Sequence, residues 1–213
     1  MKNNITELVF ILDKSGSMGG LESDTIGGFN SMLKKQSDGE GSVFVTTVLF
    51  DHEMTTLHDR LPIAEVKPMT GEDYIPGGST ALLDAVGNTI RHIEKIHRYA
   101  RREDVPEKTL FVITTDGMEN SSRKYGYTDI KKLISGKQEL GWQFLFLGAN
   151  IDAAETAGNM GIASDHAVDY CCDSRGLGKV YGAVSDAVSM MRSCASIDPD
   201  WKAEVEEDYE ARK

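Results

Sequence analysis

The sequence predicts an α/β chain built on a mostly parallel sheet. Two observations carry this. Short, continuous apolar runs end on an acidic residue or a glycine, as strands buried on both faces do. Between them lie longer segments whose apolar residues recur at helical spacing, which is the alternation of βαβ units.

The elements follow in order. Residues 8–12 (Leu-Val-Phe-Ile-Leu) are wholly apolar and stop at Asp13, a buried strand. Residues 22–36 place Ile26, Phe29 and Leu33 on one helical stripe. Residues 43–50 are rich in β-branched and aromatic side chains and read as the next strand. The polar stretch 53–66 reads as one or two short strands in a hairpin at a sheet edge. Thr80–Ala100 is the clearest helix, with Leu83, Val86, Ile90, Ile93 and His97 in line. Thr80 is placed to cap it. Residues 109–115 form a further buried strand ending at Asp116. Thr128–Leu140 reads as a helix, with Thr128 as N-cap and Gly141 past its end. Residues 142–147 make a core strand leading to Gly148-Ala149-Asn150, residues 152–160 a short helix, and residues 167–170 a short last strand. Lys179–Cys194 carries Val180, Val184, Val188 and Met191 on one face. The expected division is one domain over 1–198 and an acidic tail over 199–213, a solvated helix or a frayed end.

Composition narrows the function classes. At 213 residues, 40% of them hydrophobic, the chain can bury a core without disulfides or a structural metal. A net charge of −11 repels phosphate backbones, so nucleic acid is not an expected partner. No stretch approaches the ~18 apolar residues of a membrane span, and the first apolar run reaches Asp13 too soon for a secretory segment. The three cysteines, Cys171, Cys172 and Cys194, contain no C-x-x-C spacing. They read as reduced thiols of a cytoplasmic protein.

In an open parallel sheet the ligand site lies at the carboxyl ends of the strands. Three segments fall there: Asp13-Lys14-Ser15-Gly16-Ser17 after the first strand, Gly77-Gly78-Ser79-Thr80 before the long helix, and Asp116-Gly117 after the strand 109–115. Asp13 and Asp116 supply two carboxylates, and Ser15, Ser17 and Thr80 three hydroxyls. These are hard oxygen donors suited to Mg²⁺, Mn²⁺ or Ca²⁺. Ser15 and Ser17, two apart in an extended turn, are expected to point the same way. Two charges and few direct ligands leave room for water or for a partner's carboxylate.

The D-x-S-x-S stretch, the later Thr80 and the strand-end Asp116-Gly117 resemble a von Willebrand factor A (VWA) domain with its metal-ion-dependent adhesion site, MIDAS. All five positions stand in order, and the resemblance covers roughly residues 5–195. It implies a Rossmann-like, doubly wound, mostly parallel sheet with one antiparallel edge strand and helices on both faces. It also implies that Ser15, Ser17 and Thr80 hold the metal directly, with Asp13 and Asp116 acting directly or through water. The partner is then a protein that completes the shell with an Asp or Glu, with no nucleic acid, no membrane and no catalysis. The chain is similar to small stand-alone bacterial members found with tellurium-resistance and stress-response proteins.

Two alternatives stand beside this reading: a metal-dependent hydrolase at the same rim, and a scaffold with a vestigial site. Ser15 occupies the position where an aspartyl phosphatase needs its second Asp. The nucleophile elbow around Ser17 has Ser15 where Gly belongs. No histidine among His52, His58, His92, His97 and His166 is singled out as a base. His52 and His58, flanking Asp51 and Glu53, read as surface strand histidines rather than zinc ligands. Trp142 and the Met190-Met191 pair read as packing, and Cys171-Cys172 as inert small hydrophobes. Met18-Gly19-Gly20, Tyr74-Ile75-Pro76 and Met118-Glu119-Asn120 are expected to surround the site and set partner choice.

Overall fold

The computed structural model describes residues 4–193 and 196–213. Six strands, β1 (Ile5–Asp13), β2 (Ser42–Phe50), β3 (Met54–Pro62), β4 (Lys108–Thr115), β5 (Gln143–Gly148) and β6 (Ala167–Asp169), form one sheet. Six α-helices flank it: α1 (Glu22–Ser37), α2 (Leu82–Tyr99), α3 (Tyr127–Gln138), α4 (Ala153–Met160), α5 (Ser174–Ser193) and α6 (Ala203–Glu210).

β1 lies at the centre because neither face of its 8–12 run is polar. Leu8 to Leu12 are all fully buried. Alternate side chains serve two cores. Leu8, Phe10 and Leu12 pack with Phe29 and Met32 of α1 and with Val184 and Val188 of α5. Val9 and Ile11 pack with Val86, Ile90 and Ile93 of α2, Ile130 and Ile134 of α3, and Ala157 of α4. Each fully buried Leu, Ile or Phe side chain contributes about 1.5–3 kcal/mol.

The strand order is β3-β2-β1-β4-β5-β6. Every pairing is parallel except β2 with β3, an antiparallel edge hairpin with register shifts between Val45 and Val48. This is the doubly wound, mostly parallel sheet with one antiparallel edge strand that the sequence predicts. The chain leaves β1 for β2 on one side and later returns to β4 on the other. The order therefore switches between β1 and β4, and a crevice opens at their carboxyl ends.

Several boundaries differ from expectation. α2 begins at Leu82 with Ala81 before it, so Thr80 is not its cap. α3 begins at Tyr127, and its first turn is held by the Asp129 carboxylate, which accepts from the Gly126 N–H at 3.1 Å, not by Thr128. α5 extends back to Ser174 because Asp173 accepts from the Gly176 N–H at 2.8 Å, supplying a cap that the apolar periodicity does not reveal. Cys194, placed at the end of that helix, lies outside the described residues.

The tail takes the helical one of the two expected forms, but it is docked and not simply solvated. A 3₁₀ turn (Pro199–Lys202) and α6 are ordered elements with an inner face. Trp201 and Val205 are buried in the α1/α5 core. The Trp201 indole N–H donates to the Asp165 carbonyl at 2.9 Å. Asp208 is 5% exposed, with Arg175 at 2.7 Å and Arg212 against it. The acidic composition hides an apolar stripe of only two residues, too short to register as periodicity.

Candidate metal centre

The crevice between β1 and β4 collects the five singled-out residues. Asp13 ends β1 and is 1% exposed. One carboxylate oxygen accepts from the Ser15 N–H at 2.7 Å and the other from the Thr115 hydroxyl at 2.6 Å. The chain then closes a 3₁₀ turn, Gly16–Met18, not the extended turn expected. The turn still brings Ser15 Oγ and Ser17 Oγ within 3.3 Å. The Ser17 hydroxyl donates to Asp116 Oδ1 at 2.7 Å, linking the β1 loop to the end of β4.

Thr80 enters from the third segment. The β1 loop and the glycine loop are zipped together: the Gly16 N–H donates to the Gly78 carbonyl and the Gly77 N–H to the Lys14 carbonyl. Gly78 sits at φ +71° with the His52 ring against its α-carbon, a place that no side chain can share. The Thr80 N–H donates to Asn120 Oδ1 at 2.9 Å, and its carbonyl accepts from the Asn120 and Ser121 N–H groups. A Cβ at Gly117 would lie 3.6 Å from Thr80 Oγ1 and 3.7 Å from Ser17 Oγ. Both hydroxyls thus face the bare space at Gly117. Asp13, Ser15, Thr80 and Asp116 are each at most 3% exposed, while Ser17 is exposed, so the group has a closed floor and an open mouth.

The electrostatics are unbalanced. Burial pushes the Asp13 carboxyl above the usual carboxylate range, against the bonds from Ser15 and Thr115 that lower it, and the Asp116 charge adds to the rise. Among the described residues no Lys, Arg or His pairs with Asp13 or Asp116. Lys14, next in the chain, turns to Asp51 instead. Burial would raise Asp51 too, but the Lys14 ammonium and the Glu53 N–H together hold it below the usual range. Two carboxylates without a cation, three hydroxyls and a glycine gap fit a hard divalent ion. Nowhere among the described residues do three His, Cys, Asp or Glu side chains gather as a metal site, so hydroxyl oxygens have to complete any ligand set here.

Other expectations fare differently. His58 is buried, not on the surface, with its ring nitrogens 3.0 Å from Thr47 Oγ1 and from the Lys67 carbonyl. His52, His92, His97 and His166 pair with Asp51, Asp59, Glu7 and Asp165 respectively, and none bonds a rim residue. Trp142 stacks on Phe111, with ring centroids 5.4 Å apart, as packing predicts. Of the loops expected to face a partner, Met18 and Tyr74 are buried, and the Tyr74 hydroxyl donates to the Asp13 carbonyl. Glu119 accepts from the Leu83, Ser121 and Ser122 N–H groups, a brace for the start of α2. The exposed apolar residues of these loops are Ile75 (66%) and Met118 (74%).

Cys172 is the neighbour that sequence reading missed. Its Sγ is 3.8 Å from Asp116 Oδ2. Burial and the Asp116 charge push the thiol up to about 12. The chain spacing between residues 116 and 172 carries no signal for this; β6 and the start of α5 bring the loop across the rim.

No protein-family model matches the sequence, and no curated protein matches it. Solved structures do. The vWF domain of the type V pili tip protein Mfa5 from Porphyromonas gingivalis gives a TM-score of 0.60 at 10% identity, over 87% of this chain and 95% of that one. The minor pilin PilB from Streptococcus sanguinis gives 0.61 at 11% identity, over 93% and 62%. Proximal thread matrix protein 1 from the mussel byssus, in a structure with a zinc-occupied MIDAS motif, gives 0.55 at 16% identity, over 86% and 45%. The chain thus spans under half the length of the mussel protein. These likenesses are of fold, and the fold is that of a von Willebrand factor A domain.

Proposed function

We propose that this chain is a divalent-cation-dependent protein-binding module and not an enzyme. One observation carries the reading: Ser17 and Thr80 face the space at Gly117, Ser15 and Asp116 contact Ser17, Asp13 accepts from the Ser15 N–H, and among the described residues no cationic side chain pairs with either buried carboxylate. Ser15, Ser17 and Thr80 would hold the ion through hydroxyl oxygens, and Asp13 and Asp116 would balance its charge. Mg²⁺ is the proposed ion, with Mn²⁺ and Ca²⁺ as alternatives. A bound ion supplies positive charge for an acidic side chain of the partner, since the chain's own donors leave its shell incomplete. The mussel protein's zinc-occupied MIDAS supports a metal in this fold.

Met118 follows Gly117 in the chain, Ile75 follows Tyr74, whose hydroxyl donates to the Asp13 carbonyl, and both are exposed, so the partner's Asp or Glu is proposed to lie among apolar residues. The acidic surface disfavours nucleic acid. Among the described residues no helix is long and apolar enough to cross a membrane. We place the module in the cytoplasm, in a bacterial stress-response or metal-resistance complex, on the resemblance of its motif.

The test is calorimetric titration of Mg²⁺, Mn²⁺ and Ca²⁺ into EDTA-stripped protein, with Asp13→Ala alongside. A single ion per chain, lost in the variant, is expected. Equal binding by the variant, or none by the parent with or without an acidic peptide, overturns the proposal.

A further inference from the structure

We propose that Asp51 is a positioning residue of the metal rim: it holds the Lys14 ammonium away from Asp13 and Asp116 and so keeps the place of the divalent ion free. The inference rests on the metal-binding reading above. Lys14 stands between two of the proposed donors, Asp13 and Ser15, yet its side chain pairs with Asp51. Neither partner of this pair is out in water, with side-chain exposures of 16% and 8%. Lys14 is the cation next in the chain to Asp13, and a lysine carries its charge on a flexible stem. Asp13 and Asp116 are buried and, among the described residues, pair with no cation. An ammonium and a divalent ion compete for the same two carboxylates, so the ion has to displace Lys14 wherever Lys14 is not held elsewhere.

The pair is not needed to shape the loops. The Lys14 N–H donates to the Phe50 carbonyl at 2.7 Å, and the Lys14 carbonyl accepts from the Gly77 N–H at 2.9 Å. Asp51 is fixed from its own side. Its Oδ1 accepts from the Glu53 N–H at 2.7 Å, a turn of the Asx kind, with His52 Nδ1 at 3.0 Å. Its carbonyl accepts from the N–H of Ala81, the residue after Thr80, at 2.8 Å. These bonds leave Oδ2 to face Lys14. Asp51→Asn therefore keeps the backbone bonds and the Oδ1 acceptor and removes only the charge that holds the ammonium. Lys14 is then released beside a rim with two unmatched carboxylates.

The experiment measures Mn²⁺ binding by calorimetry to the EDTA-stripped full chain, Asp51→Asn, Lys14→Met and the double variant, with the metal-free Tm of each. Asp51→Asn is expected to lose roughly 10- to 100-fold in affinity, the usual cost of removing a residue that acts behind a metal's ligands. Lys14→Met should bind at least as tightly as the parent, and adding it to Asp51→Asn should restore the parent's affinity. A pair that merely braced the loops gives the opposite pattern: Lys14→Met binds as weakly as Asp51→Asn and the double variant is not rescued. That result overturns the proposal. Parental affinity in Asp51→Asn also overturns it and leaves the metal reading standing. Asp51→Ser, which keeps an oxygen for the Glu53 N–H, is run alongside. If neither Asp51 variant folds, the pair is structural and the proposal falls. Absence of Mn²⁺ binding in the parent overturns both readings.

Discussion

β1 buries a carboxylate at each end, Glu7 near its start and Asp13 at its finish, at 0% and 1% exposure. Their surroundings are opposite. Glu7 Oε2 accepts from Arg60 Nε at 2.9 Å and from His97 Nε2 at 3.1 Å. Arg60 adopts φ +49° to reach it and lies over the Phe44 ring. Among the described residues Asp13 receives only neutral donors, and a second carboxylate, Asp116, stands across the crevice. A buried charge matched by a cation inside the fold, here the Arg60 guanidinium, is a structural element. A buried charge left without one is a demand for a cation from outside, and that is what separates the two rims of this sheet.

The largest expected effect comes from the matched end. Glu7→Ala leaves Arg60 and His97 without their anion and should cost about 3 kcal/mol in denaturant unfolding, with Mn²⁺ affinity unchanged. The unmatched end should behave in reverse. In Asp13→Asn the amide can donate to Thr115 Oγ1, which can itself donate to the Gly117 carbonyl at 3.1 Å. Cation affinity should fall ~100-fold or more, while the metal-free Tm stays equal or rises. The sign follows from the raised Asp13 pKa. Ionising this acid destabilises the metal-free parent as pH rises through its folded pKa, and the amide has no such loss. If Asp13→Asn instead melted like Glu7→Ala, the contrast between the rims would collapse.

A smaller change sharpens the site's shape. Gly117→Ala adds a methyl at ordinary contact distance from Thr80 and Ser17, so stability should hold. Cation affinity measured by calorimetry should drop ~10-fold, because the methyl takes the ion's space. The smallest effect again belongs to the far rim. Lys137 and Arg91 hold Glu94 at about 2, below its ordinary 4.5. Its contribution is present above about 4.5 and is lost as pH falls towards 2. Acid unfolding curves of Glu94→Gln should lack about 1 kcal/mol of that loss, after solvent screening of a partly exposed group.

The strands were legible because Leu8–Leu12 and Leu110–Ile113 have no polar face to confuse the pattern, and α2 because its apolar stripe is long. The five rim residues were legible as a motif because each sits within a few residues of a strand end or helix start, where chain spacing fixes position. Elements held by single polar contacts were not. The start of α5 depends on Asp173, that of α3 on Asp129, and the docking of the tail on contacts scattered along it, among them the Trp201 indole to the Asp165 carbonyl and Arg175 to Asp208.

By itself the sequence determined the layered α/β sheet and the set of hard oxygen donors at its carboxyl rim, because both follow from periodicity and local spacing. Only the tertiary structure decided which charges were already answered. It sends Lys14 to Asp51 and gives Arg60 and His97 to Glu7. It buries Asp13 with neutral donors and carries Cys172 to Asp116 from a strand two places away. Charge compensation acts through space over a few ångströms, and residues far apart in the chain supply it.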